Sequence, residues 1–230
     1  GASAARREYV NACRAELYRP SGQEARRWLE RRCLDPAVLE LNDVGYDPGP
    51  SRLRRARGLP YRGPGIVLPT FDRLGQLVYA QARYLDPQST GRKYDNPSGR
   101  HATNPTASWP RLLDSNGRQT IVCEGVIDAL TVASLRMRSV ALLSAGDAKG
   151  AAQDLARCSC PLVIALDPEQ AGVNAAEDLT NALRSASRCD VRVLTLTRDL
   201  NDLAQRPAGR SALTTALRHR SRSGFANLVR

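Results

Sequence analysis

Apolar and polar positions follow two different rhythms along this chain. From residue 120 onward, short apolar runs near 120–123, 139–143, 161–166 and 190–196 are separated by stretches of helical period at 126–136, 148–157 and 171–186. Strand-length runs alternating with helix-length stretches predict a mostly parallel sheet with helices on both faces. Before residue 120 the rhythm is mixed. Ser21 stands three residues before Glu24, a capping-box spacing, and Ala25, Trp28, Leu29 and Arg32 recur on one face of the predicted helix. Asp35-Pro36 predicts the start of a second short helix through Val38, Leu39 and Leu41. The runs 66–71 and 77–84 predict two strands joined as a hairpin through Asp72-Arg73-Leu74-Gly75-Gln76. Residues 86–110 are rich in Pro, Gly, Ser, Asn and Thr and predict a long loop, a length that is uncommon unless it serves function. A basic helix is expected at 211–220.

Charge sharpens this picture. The 230 residues carry a formal net charge of +11, which points to a polyanionic partner, most simply nucleic acid. The excess sits at the ends: 13 Arg against 8 acids in 1–62, and 6 Arg with no acid in 203–230, whereas 63–202 balance 15 basic with 15 acidic residues. Only two of the basic residues are lysines, Lys93 and Lys149. The six cysteines form no pair of CxxC motifs, so a zinc ribbon is not expected, and reduced thiols in a cytoplasmic protein are. No apolar run approaches the roughly 20 residues that span a bilayer, so no membrane association is expected.

The candidate chemistry lies in the balanced middle. Ile121-Val122-Cys123 ends in Glu124-Gly125 with Asp128 following, Leu162-Val163-Ile164-Ala165-Leu166 ends in Asp167-Pro168-Glu169, and Asp199 and Asp202 follow the last run. In a sheet of alternating strands and helices these acids fall at the carboxyl edge, where such sheets bind ligands. Single acids at helix starts commonly serve only as caps. Acids at three separate junctions of one edge point instead to Mg²⁺ acting on phosphates. Glu124 and Asp128 are four apart, so a helix starting at Gly125 would put them on one side of the junction. Asp167 and Glu169 are two apart and would point the same way from an extended connection.

The ordered set Glu124-Gly125 with Asp128, Asp167-x-Glu169-x-Ala171-Gly172 and Asp199-x-Asn201-Asp202 resembles the Toprim fold of primases, topoisomerases and some nucleases. The preceding segment narrows the resemblance. Tyr61-Arg62-Gly63 through 66–72, Gln81-Ala82-Arg83 and Lys93-Tyr94-Asp95-Asn96-Pro97 are similar to the basic subdomain of bacterial DnaG-type primases, and Trp28-Leu29, Arg32 and Asp43-Val44-Gly45-Tyr46 fit its start. The resemblance spans roughly residues 22–205. It implies an α/β chain (α+β overall) with a basic mixed subdomain at 1–115 for template and nucleotide binding. A Toprim metal-binding catalytic domain at 116–205 and a basic helical tail at 206–230 would follow. The implied activity is synthesis of short RNA primers on single-stranded DNA from nucleoside triphosphates with Mg²⁺ or Mn²⁺, with a replicative helicase as a further partner. The implied catalytic residues are Glu124, Asp128, Asp167 and Glu169. The implied metal ligands are Glu124, Asp167, Glu169, Asp199 and Asp202. Arg62, Arg83, Lys93, Tyr94 and Lys149 would contact nucleotide or template.

The chain departs from the family in several places. Glu169 stands where the family has aspartate, and Asn201 where many members carry an acid. No cysteine–histidine zinc domain is visible, and the tail is short for a helicase-interaction domain. These features match a divergent core, of the kind carried by plasmids, phages or mobile elements, or a core cut from a longer chain. They also leave open a non-catalytic nucleic-acid-binding module and a Toprim nuclease.

Overall fold

A computed structural model of the chain describes residues 2–49, 52–53, 64–97, 105–114, 119–143, 148–186 and 190–218. The chain divides into two compact units, Gly1–Pro105 and Thr106–Arg230. The division precedes the 115/116 boundary expected from sequence, because Ala107 packs into the second unit's core and Ser108 bridges Ala141.

The first unit opens with helix α1 (Ala2–Leu17), which the sequence reading did not anticipate. Tyr9, Val10, Cys13 and Leu17 are all buried, and their spacing is that of one helical face. Helix α2 (Gln23–Arg31) follows a 3-10 turn at Pro20–Gly22. Ser21 does not cap it: its hydroxyl donates to the Glu16 carboxylate, and Gly22 takes the N-cap position. The helix ends with Cys33 at a φ of 56°. Cys33 N donates to Glu30 O (2.9 Å) and Leu34 N to Leu29 O (3.4 Å), a closing pattern that usually selects glycine at the left-handed residue. Helix α3 (Pro36–Leu41) starts as expected, with the Asp35 carboxylate accepting from Ala37 N at 2.9 Å.

Strands β1 (Gly45–Asp47), β2 (Gly65–Phe71), β3 (Leu77–Tyr84) and β4 (Tyr94–Asp95) form an antiparallel sheet in sequence order. The expected hairpin is β2–β3. Asp72 closes it by accepting from Leu74 N (2.8 Å) and Gln76 N (2.9 Å), and Gly75 takes a φ of 75° that a side chain would disfavour. The expected loop after β3 contains a one-turn helix α4 (Pro87–Thr90) as well as β4. Strand β4 pairs Tyr94 with Arg83, and Tyr84 donates to Asp95 at 2.7 Å.

The second unit is the alternating segment. Strands β5 (Thr120–Cys123), β6 (Arg138–Ala141), β7 (Leu162–Ile164) and β8 (Val191–Val193) make an all-parallel sheet of order β6-β5-β7-β8. Helices α5 (Val126–Ser134), α6 (Ala148–Ala156) and α7 (Gln170–Ser185) link them, and α8 (Leu200–Ala204) and α9 (Gly209–Arg218) follow. Val122, Val140 and Ile164 share one core with Ala151, Leu155, Leu179 and Leu183 of α6 and α7. Successive strand residues face opposite ways, so Ser139 lies on the other face, where its hydroxyl donates to Ala129 O of α5 at 2.7 Å. Helix α9 is not a loose tail over its described length: Leu213 and Leu217 are buried, and Arg192 of β8 donates to the carbonyls of Ala216 and Leu217. Among the described residues no helix is long and apolar enough to cross a membrane, and no disulfide joins the described cysteines.

Candidate active site

The carboxyl ends of β5 and β7 are neighbours in the sheet, which brings Glu124 and Asp167 together from positions far apart in sequence. Glu124 follows β5 directly. The backbone N–H of Asp167 donates to its carboxylate, yet Oε2 is buried and has no hydrogen-bond partner. Burial pushes the Glu124 carboxyl above the usual carboxylate range, the Asp167 N–H opposes that, and the negative charge of nearby Glu169 adds to it. The same neighbourhood reaches Cys123, whose thiol is pushed up by burial and by the charges of Asp128 and Asp167.

Gly172 explains the small residue in the second motif. A Cβ there would stand 2.2 Å from the Asp167 carbonyl oxygen and 3.1 Å from Glu124 Oε2. Only glycine lets the first turn of α7 come this close to both. Glu169 is exposed at the N-cap of α7 and makes no side-chain cap there. A cavity of about 550 Å³ opens beside Asp167 and Gly172, walled by Val173 and Ala176 of α7 and by Leu194 and Leu196 beyond β8.

The other acids have partners. Asp128, only 9% exposed in the first turn of α5, accepts from Asn201 N at 2.9 Å, and Asn201 Nδ2 donates to Thr131 Oγ1 at 2.8 Å. Asp128 therefore fastens α8 onto α5. Asp199 caps α8, accepting from Asp202 N at 2.5 Å, and Asp202 accepts from Gln205 Nε2 at 3.3 Å. Among the described residues no three His, Cys, Asp or Glu side chains converge closely enough to hold one ion. The donor set still fits Mg²⁺. That ion commonly takes one or two carboxylates and completes its shell with water and substrate phosphates, and the partnerless Glu124 oxygen is a hard donor of the right kind.

The basic residues lie in the first unit, apart from Lys149. Lys93 is exposed, and its Nζ stands 5.8 Å from the centre of the Tyr94 ring. Arg83 is only 6% exposed. Arg62 falls outside the described residues. Lys149 belongs to the first turn of α6, within the helical stretch expected at 148–157, and its side chain is likewise outside them. Sequence reading gave no role to the Asn201–Asp128–Thr131 connection. Its partners are about seventy residues apart, and no local pattern marks such a contact.

Comparison with known proteins gives this arrangement a class. Residues 121–204 match the Toprim-like family model Toprim_2, so the second unit carries a Toprim domain. No curated protein matches the chain in sequence. Among solved structures, 94% of the chain is similar to the DnaG catalytic core, with a TM-score of 0.75, 19% identity and 79% of that chain covered. It is also similar to a DnaG primase catalytic domain bound to ssDNA (TM-score 0.73, 19% identity, 77% of that chain). A third similar structure holds the zinc-binding and RNA polymerase domains of the Aquifex aeolicus primase (TM-score 0.73, 20% identity), of which this chain spans 60%. The fold is that of a DnaG-type primase catalytic core.

Proposed function

We propose that the chain is the catalytic core of a DNA primase, making short RNA primers on single-stranded DNA from nucleoside triphosphates. The observation that carries this reading is the Glu124 carboxylate: a buried oxygen without a partner, at the carboxyl edge of a parallel sheet, in a chain with a primase-core fold. In this reading a divalent ion, Mg²⁺ or Mn²⁺, neutralises triphosphate charge when bound. Glu124, Asp167 and Glu169 would hold it, with Asp199 and Asp202 at the start of α8 offering further oxygens.

The chain's own residues supply the rest. In nucleotidyl transfer the primer 3′-oxygen bonds to the α-phosphorus, the bond to pyrophosphate breaks, and the hydroxyl proton must leave. Glu124, whose carboxyl is pushed up by burial, would either accept that proton or help to hold the ion. Asp128 acts through α8, keeping Asn201 and with it Asp199 and Asp202 in place. Lys93 and Tyr94, with Arg62 and Lys149, would contact template or triphosphate. A replicative helicase would deliver the template.

A second reading has its own support. Asp128 is committed to Asn201, and no three ligands converge among the described residues, as expected of a non-catalytic nucleic-acid-binding module. Primer synthesis on mixed-sequence single-stranded DNA, with labelled nucleoside triphosphates and Mg²⁺ or Mn²⁺, separates the two. Short products lost in Glu124→Gln and Asp167→Asn support the primase. No product, with DNA binding that survives chelation, supports the module. Shortened template strands would make the chain a nuclease.

A further inference from the structure

Arg83 sits in an unusual place for a residue expected to meet nucleotide. Its guanidinium lies 5.3 Å from the centre of the Trp28 ring and 5.4 Å from that of Tyr94, and it donates to the Tyr84 carbonyl. Arg32, the C-cap of α2 and four residues after Trp28, lies 4.9 Å from the same indole, and Lys93 covers Tyr94. The order is Arg32, Trp28, Arg83, Tyr94, Lys93: three cations interleaved with two rings. Among the described residues no carboxylate pairs with Arg83, while Asp95, which follows Tyr94 on β4, is taken by Arg92 (3.2 Å) and Tyr84. A buried charge without a counter-charge is costly and is kept only where something else is gained.

Burial decides what Arg83 can do. At 6% exposed it is poorly placed to fork onto a phosphate, whereas Arg32 is half-buried and Lys93 exposed. A planar guanidinium can stack on two rings at once, which an ammonium cannot. We propose that Arg83 is a positioning residue and not a phosphate contact. Stacked between Trp28 and Tyr94, it sets the two rings and, through them, Arg32 and Lys93, which take phosphates of single-stranded nucleic acid. This deepens the primase reading for the first unit but does not depend on catalysis. Trp28 and Tyr94, each half-buried, stand beside those cations, a pairing of aromatic and cation that suits an unpaired strand.

The test is binding of a short mixed-sequence DNA single strand in chelator, without nucleotides, over a series of salt concentrations. Lys93→Ala and Arg32→Ala should each lower the salt slope by about 0.7, the value for one phosphate contact on a single strand. Arg83→Lys keeps the formal charge, yet should also lower the slope and weaken binding several-fold. A folded Arg83→Lys with the wild-type slope overturns the proposal. So does a wild-type slope in both Lys93→Ala and Arg32→Ala. A second readout covers the case in which Arg83→Lys misfolds. The chain has two tryptophans, so in Trp109→Phe the emission reports Trp28 alone. The strand should quench that emission with the same affinity that it shows in direct binding, and no quench at saturation overturns the proposal. If binding behaves as stated and no primer is ever made, the catalytic reading fails while this one stands.

Discussion

The two units leave charge uncompensated in opposite ways. In the second, a carboxylate oxygen of Glu124 is buried with no hydrogen-bond donor. In the first, the Arg83 guanidinium is buried with no described carboxylate, beside the Trp28 and Tyr94 rings, the Tyr84 carbonyl and the charge of Arg32. The acid is delivered by backbone: two adjacent parallel strands end side by side, and Gly172 removes the atoms that would keep α7 away. The cation is delivered by side-chain stacking across a helix and an antiparallel pair. A partnerless hard oxygen asks for a proton or a hard cation. A guanidinium between rings remains charged and orders its neighbours. The Glu124 site should therefore respond to metal, the Arg83 site to ionic strength.

The largest expected effect tests that contrast at its sharpest point. Glu124→Gln should lower primer synthesis on the order of 100-fold or more, the scale of a lost general base. In chelator its melting temperature should equal or exceed the wild type's, because the amide removes a buried charge. Burial holds the folded-state pKa of Glu124 above its unfolded value, so ionising it as pH rises through that range costs native stability. The variant's advantage should therefore grow from acid to neutral pH. Mg²⁺ should raise the melting temperature of the wild type and not of the variant. A variant that melts lower in chelator would make Glu124 a structural partner and end the comparison.

Gly172→Ala comes next. Its new methyl would meet the Asp167 carbonyl, so thermal unfolding should show a loss of about 1–3 kcal/mol, with activity falling as well. Asp128→Ala strands the buried Asn201 N–H and should cost about 1–3 kcal/mol. Asp128→Asn, which keeps an acceptor oxygen, should cost less. The smallest effect belongs to the first unit. Asp35→Ala removes the cap of α3 and should cost about 1 kcal/mol in chemical denaturation while leaving the salt slope of DNA binding unchanged. A changed slope would tie that slope to general stability rather than to the stacked cations.

Much of the architecture was legible in the chain itself. The alternation after residue 120, the β2–β3 hairpin and the Asp35 cap follow from period, run length and turn chemistry, all local properties. The placing of Glu124 and Asp167 at strand ends was legible for the same reason. Helix α1 is likewise marked in the chain, by the spacing of Tyr9, Val10, Cys13 and Leu17 on one helical face. Ser21 shows the limit of a motif: its spacing from Glu24 fits a capping box, but Glu16, packed nearby by the fold, claims the hydroxyl. Asp128, Asn201 and Arg83 were beyond any local rule. The sequence determined which residues carry charge and which element each occupies. Only tertiary packing decided that Asp128 would be partnered, that one oxygen of Glu124 would not, and that Arg83 would be enclosed by rings. Those outcomes depend on contacts between distant segments, where desolvation and partner choice set what a charge can do.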